Sequence, residues 1–320
     1  MTSGGPPRQP IVLDCDPGHD DALAILLAAA DPSLELVAIT TVAGNQSLDK
    51  TTLNARRMCS VAGIRDIPIA AGCDRPLVRS RIAAPEIHGE SGLDGPAFGP
   101  PTVPLDPRHA IDLILEESHR HEGLVLVPTG PLTNVASALA RDPSLAQRLR
   151  RIVLMGGAMG LGNVTPAAEF NIAADPEAAR AVFESGVPIT MVPLETTHQA
   201  LATPEVIERI AALAFPLAHV CVELLGFFAE TYLRVFGFAA PAVHDPCAVS
   251  WVIDPTIVPT QRMRVDIETD AEFSYGRTVC DVYGVTGRDA NAEVGQGLEV
   301  DRFWALMIGA IASYREPDAA

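Results

Sequence analysis

The chain has 320 residues, 48% of them hydrophobic and 20% charged, a globular rather than a disordered composition. That length can bury one large core or two ordinary ones. A formal net charge of −17 repels phosphodiester backbones and argues against a nucleic-acid polymer as partner, but not against a small neutral ligand or a cation held by local carboxylates.

Residues 1–10 are rich in Gly and Pro and lack an apolar signal core, so a flexible segment is expected ahead of a single domain over 11–316. Cys15, Cys59, Cys73, Cys221, Cys247 and Cys280 include no Cys-x-x-Cys pair and read as reduced, mostly buried thiols of a cytoplasmic protein. Ile11–Asp14 is an apolar run ending in acids before Pro17-Gly18, the pattern of a buried strand feeding a loop. Asp20–Ala30 follows as a helix, its apolar part too short to cross a bilayer. Leu34–Val42 reads as a strand, Ser47–Ala62 as a helix and Ile67–Ala70 as a short strand.

Between Gly72 and Arg108 lie five Gly and seven Pro, a long loop with His88-Gly89-Glu90-Ser91-Gly92 at its centre; loops of this length are usually functional or disordered. The strand–helix rhythm returns with strand Leu124–Val127, helix Leu132–Ala140, strand Arg151–Met155, helix Pro176–Ser185 and strand Val187–Val192. Pro204–Ala212, Leu217–Tyr232 and His244–Val252 read as helices, Ile257–Thr269 and Thr278–Val285 as strands, and Val300–Tyr314 as a closing helix. This alternation predicts an α/β fold with a mostly parallel, Rossmann-like open sheet flanked by helices. In such sheets ligands sit beyond the carboxyl ends of the strands, where Asp14, Asp16, Asn45, Thr129 and Met155 fall.

Asp14-Cys15-Asp16-Pro17-Gly18-His19-Asp20-Asp21 places four carboxylates in eight residues. Like charges this close are destabilising in a partly buried turn unless something neutralises them, and a hard divalent cation such as calcium, with several oxygen ligands, does so. An isolated Asp here would read simply as a helix N-terminal residue. Asp-x-Asp after a strand also opens the haloacid-dehalogenase phosphatases. Those usually carry Thr or Val where this chain has Gly18, and they leave Asp20-Asp21 unexplained.

The same segment resembles the N-terminal fingerprint of the inosine/uridine-preferring nucleoside hydrolases. The resemblance continues in family order through Ile39–Asn45, Ala71–Cys73, His88–Gly92, Val127–Asn134, Leu154–Gly157, Ala168–Ile172, Asp175–Ala178 and Val243–Ala248, most of the chain. It implies calcium-dependent hydrolysis of the N-glycosidic bond of a ribonucleoside, giving free base and ribose, by an enzyme that works as a homodimer or homotetramer. It further implies that Asp16, Asp21, Asp245 and the Thr129 carbonyl hold calcium together with the ribose 2′- and 3′-hydroxyls, with Asp16 as general base for a water. Asp20, Asn45 and Asn171 would hold ribose hydroxyls or orient that water, while Asn163 and Glu169 would take the 5′-hydroxyl. Asp14 would support the strand end, and Met155 would lie at the site.

Departure of the base wants a general acid, and His244 beside Asp245 is the leading candidate. His88 reads either as a residue over the base or as a plain exposed loop histidine; Phe170, Phe228 and Tyr232 are candidates to wall the base, although aromatics at i and i+4 of a helix are often plain core. Phe228 stands where several relatives carry Tyr, His19 replaces a common apolar residue, and Phe273–Gly297 matches nothing in the family pattern. A nucleoside- or ribose-binding protein without turnover is the alternative reading; the complete set of expected ligands argues against it.

Overall fold

Parallel strands buried on both faces need near-continuous apolar runs, and the chain supplies them. The computed structural model describes residues 8–315. These form β1 (Gln9–Cys15), α1 (His19–Ala30), β2 (Leu34–Thr41), α2 (Leu48–Ala62), β3 (Ile69–Ala71) and α3 (Pro85–His88). Next come α4 (Ala110–Arg120), β4 (Leu124–Pro128), α5 (Thr133–Arg141), α6 (Leu145–Arg148), β5 (Leu149–Met155), α7 (Phe170–Ala174), α8 (Pro176–Phe183) and β6 (Ile189–Val192). The remainder is α9 (Leu194–Thr197), α10 (Pro204–Ala211), α11 (Pro216–Phe236), α12 (Pro246–Ile253), β7 (Thr260–Ile267), β8 (Thr278–Asp281), β9 (Ala292–Gly295) and α13 (Val300–Ser313).

The strands make one sheet in the order β3-β2-β1-β4-β5-β6-β9-β7-β8, parallel throughout except for β7, which runs antiparallel to both β8 and β9. Side chains alternate between two cores. Ile11 and Leu13 of β1, Val125 and Val127 of β4, and Val153 of β5 pack with α1, α2, α11, α12 and α13 on one face. Val12, Leu124, Leu126, Ile152 and Leu154 pack with α4, α5 and α8 on the other. From β1 the chain builds outward to β2 and β3, then returns to β1's other side with β4. The reversal opens a crevice beyond the carboxyl ends of β1 and β4.

The α/β reading holds, with differences of detail. Residues 9 and 10, expected in a flexible segment, belong to β1; residues 1–7 lie outside the described residues. The stretch Thr278–Val285 stops as a strand at Asp281, whose side chain accepts from the Val285 and Thr286 amides and so turns the chain. β9, with Ala292 and Val294 buried, and the amphipathic helix α4 were not anticipated. The long loop over 72–108 contains only the single turn α3. No helix among the described residues is long and apolar enough to cross a membrane.

One polar side chain ties the strand ends together. Asn134, fully buried, donates to Asp14 Oδ1 at 2.8 Å and to the Thr41 carbonyl at 3.0 Å, and accepts from the Cys73 amide at 2.8 Å. It thereby links the ends of β1, β2 and β3. Thr40 also donates to Asp14, while Asp14 Oδ2 has no partner and burial raises the carboxyl to about 6. Asp14 is thus held inside the sheet, as expected. Asn134→Ala removes three hydrogen bonds and leaves the Cys73 amide without a partner, so urea denaturation should show about 2–4 kcal/mol of lost stability. A loss under 1 kcal/mol would mean that the strand ends hold without it.

Candidate active site

Four carboxylates meet beyond the end of β1. Asp16, Asp20, Asp21 and Asp245 are all buried, and no Lys, Arg or His among the described residues forms an ion pair with any of them. Burial, followed by repulsion from Asp21, raises Asp16 well above the usual carboxylate range and Asp20 to about 7. Burial raises Asp21 too, and it raises Asp245 strongly, with Asp20, Asp21 and Asp16 adding repulsion.

Partial compensation comes from neutral donors. Asp21 accepts from the Gly18 amide at 3.0 Å, capping α1, and from the Thr129 hydroxyl at 2.8 Å. Asp16 Oδ2 accepts from the Asn45 amide at 2.6 Å, while Asp16 Oδ1 has no partner. Two glycines make room for this carboxylate: a Cβ at Gly44 or Gly130 would lie 2.1 or 2.5 Å from its oxygens.

Asp20, Asp21 and Asp245 form a tight acidic triad, with one oxygen of each within 4.8 Å of the others. The expected calcium set named Asp16 in place of Asp20, and in this arrangement Asp16 lies outside the tight triad. The Thr129 carbonyl, also expected as a ligand, accepts 2.7 Å from Asn171 Nδ2. The donor set is nonetheless all oxygen and net negative, and Asp16 retains a bare buried oxygen. It fits a hard divalent cation.

Above the carboxylates a pocket is lined by Asp20, Asn45, Thr129, Met155 and Asn171 at its polar end. Asp245 and His244 share that lining. Asn171 also donates to the Met155 carbonyl at 3.2 Å, tying α7 to the ends of β4 and β5. Glu169 lines the pocket but already accepts from the Gly157, Asn171 and Ile172 amides; burial raises it to about 7. Asn163, expected with Glu169 at the 5′-hydroxyl, accepts from the Phe170 amide at 2.9 Å, and both Asn163 and Phe170 reach the pocket.

The other end is apolar and aromatic, formed by His88, Phe228, Tyr232 and Phe236. Phe228 and Tyr232 are at once pocket wall and core: their rings meet edge to face at 4.6 Å and pack with Ala242. Phe236 extends the same i, i+4 row and was legible from it.

His244 is buried, with both ring nitrogens engaged. Nδ1 is 2.7 Å from the Thr197 hydroxyl, and Nε2 is 2.5 Å from the Tyr232 hydroxyl. Burial, with a smaller contribution from His198, lowers it to about 3. Sequence reasoning missed Thr197, which lies in a one-turn helix with no motif around it. It also missed a clasp on the His88 loop: Gln46, Lys50 and Asn54, at i, i+4 and i+8, donate to the carbonyls of Gly89, Glu90 and Ser91.

Comparison with known proteins places the chain in a family. The family model described as inosine-uridine preferring nucleoside hydrolase matches residues 11–305. The chain is 45% identical over 308 residues to the pyrimidine-specific ribonucleoside hydrolase RihB of Escherichia coli O17:K52:H18, covering 96% of this chain and 98% of that one. Identity to the Escherichia fergusonii protein of the same name is 44%, with the same coverage. Among solved structures, the purine-preferring ribonucleoside hydrolase from Gardnerella vaginalis superposes with a TM-score of 0.90 at 30% identity, covering 96% of this chain and 99% of that one. An inosine-guanosine nucleoside hydrolase gives 0.87 at 29% identity, covering 97% and 100%. The chain is an enzyme and belongs to the inosine-uridine preferring nucleoside hydrolase family.

Proposed function

We propose that this enzyme is a calcium-dependent ribonucleoside hydrolase that cleaves the N-glycosidic bond to free base and ribose, with pyrimidine ribonucleosides as its preferred substrates. The observation that carries the reading is the buried carboxylate cluster, without any paired cation and with Asp16 Oδ1 bare, at the polar end of a pocket whose other end is aromatic. Pyrimidine preference is supported by the 45% identity to pyrimidine-specific relatives, against 30% to the purine-preferring structure.

Asp16, Asp21, Asp245 and the Thr129 carbonyl would hold the cation, with Asp20 close enough to share it. Calcium, when bound, would supply positive charge that offsets the carboxylates and attracts the sugar's hydroxyls. The remaining work falls to the chain. Asp20, Asn45 and Asn171 orient the ribose hydroxyls, Asn163 and Glu169 meet the 5′-hydroxyl, and the bare oxygen of Asp16 takes the proton of the attacking water. The carboxylates also stabilise positive charge that develops on the ribose ring as the base leaves.

Proton delivery to the base runs through Tyr232. His244 has no free nitrogen, so it reaches the pocket through the Tyr232 hydroxyl. Protonated on both ring nitrogens, His244 passes its Nε2 proton to Tyr232 as Tyr232 gives its own to the departing base; it is left neutral, still donating from Nδ1 to Thr197, and takes up a new proton from solvent after the base is released.

Three measurements test this. Release of reducing sugar from a panel of ribonucleosides should require calcium, favour uridine and cytidine, and fall about 100- to 10,000-fold in Asp16→Asn. A calcium-replete sample that leaves every common ribonucleoside intact refutes the function. Tyr232→Phe should cost about 100-fold or more on uridine yet little on a p-nitrophenyl riboside, whose leaving group needs no proton. Equal loss on both would remove Tyr232 from the proton path.

The third test uses pH. Folded pKa values of about 7 for Asp20 and about 6 for Asp14 lie above the unfolded value near 4. The stability tied to these groups is therefore complete below about pH 4 and is lost as pH rises through about 6–7. Added calcium should then raise the melting temperature by several degrees at about pH 8 and by much less at about pH 5.5. A calcium shift that is the same at both would contradict the cluster's role.

A further inference from the structure

His19 enters none of the chemistry above, yet it is fully buried behind the pocket's aromatic end. Its ring stacks on Phe227 and Phe228 at 5.3 and 5.1 Å, and on His88 at 5.4 Å. Its Nε2 lies 2.8 Å from the Asp94 carbonyl, and its Nδ1 lies 3.1 Å from Nδ1 of His88. Its backbone amide points at the same His88 atom from 3.3 Å. His88 lines the pocket, and its Nε2 makes no hydrogen bond with any described residue. The clasp from Gln46, Lys50 and Asn54 holds the loop that carries it.

These contacts decide where protons sit. A carbonyl can only accept, so the His19 ring proton is on Nε2. Neither ring has a carboxylate within hydrogen-bond distance, so both are neutral and His19 Nδ1 is a bare acceptor. Two bare nitrogens 3.1 Å apart repel, whereas a proton on His88 Nδ1 makes the contact a hydrogen bond. The backbone amide of His19 favours the opposite tautomer of His88, but across the longer contact.

We propose that His19 is a specificity-determining positioning residue: it accepts from His88 Nδ1–H and leaves His88 Nε2 as a hydrogen-bond acceptor on the pocket wall. That acceptor selects bases offering an N–H, above all the imide N–H of a uracil-type ring. The choice of base rests on the ribonucleoside function proposed above; the tautomer does not.

The test has two arms. Nitrogen-15 NMR of histidine-labelled enzyme reads the tautomers directly, and should show His88 protonated at Nδ1 and bare at Nε2. The reverse assignment overturns the proposal whether or not any nucleoside is cleaved. The second arm compares uridine, 3-methyluridine, which lacks the imide N–H, and a p-nitrophenyl riboside, which has no base N–H. His19→Phe keeps a ring in the stack and removes the acceptor. It should raise KM for uridine about tenfold, shrink the preference for uridine over 3-methyluridine, and leave kcat/KM on the p-nitrophenyl riboside unchanged. His19→Asn, with an amide oxygen near the former Nδ1, should recover part of the loss. Equal losses on all three substrates would mean that His19 only supports the fold, and the proposal fails. If the wild-type enzyme cleaves no ribonucleoside, the proposed function fails instead, and the NMR arm still decides the tautomer.

Discussion

Four carboxylates buried side by side repel one another, and the architecture around them answers that repulsion. Taking even one carboxylate out of water is costly, and a second within a few ångströms raises the cost for both. The protein supplies neutral help in the form of the Gly18 and Asn45 amides and the Thr129 hydroxyl. Among the described residues it supplies no cationic side chain paired with them. Gly44 and Gly130 are small because Asp16 occupies the space a side chain would need. An arrangement that spends stability in this way fits the cation proposed above.

The position of the cluster follows from the sheet. β1 is central, with β2 on one side and β4 on the other, so the loops beyond β1 and β4 diverge and leave a crevice that neither fills. Asp16 enters from the first loop, Thr129 from the second, and Asp245 from the start of α12. The His244-Asp245 pair then joins the two ends of the pocket in two consecutive residues. Asp245 belongs to the acidic triad, while the His244 ring reaches the aromatic end through Tyr232. The amide of His244 also donates to Asp20 at 3.3 Å, so a shift of either group is felt by the other.

Much of this was legible in the sequence because the signals are local. Apolar runs ending in Asp14, Val127 and Met155 gave the strands, and the dense acids after β1 gave the cluster. β9 was missed because Ala292–Gly295 offers four residues with only two apolar side chains, a pattern that becomes a strand only when β6 and β7 are there to pair with it. Thr197 and the clasp from Lys50 to the His88 loop were missed for a related reason: they are contacts across long sequence separations, between residue types common on any surface. The roles of Phe228 and Tyr232 could not be divided between pocket and core, and the structure shows why. The same rings do both.

The site also holds three buried histidines, any of which might in principle have neutralised the carboxylates. Burial works against this, since it lowers His19 to about 4, His244 to about 3 and His88 well below the ordinary histidine range. Geometry works against it too. His244 spends both nitrogens on Thr197 and Tyr232, His19 spends its own on Asp94 and His88, and the His88 Nδ1 is taken up by His19. No imidazole turns toward an acid of the cluster. The pocket is therefore divided into a negatively charged end that a sugar and a cation can complete, and an uncharged aromatic end suited to a flat, neutral base. Keeping the histidines neutral until the base departs preserves that division: a standing charge on His244 or His88 would weaken the attraction for the cation and place charge against the base. The same burial that makes the acids costly keeps the imidazoles uncharged, so a single physical cause gives the two ends of the site their different chemistry.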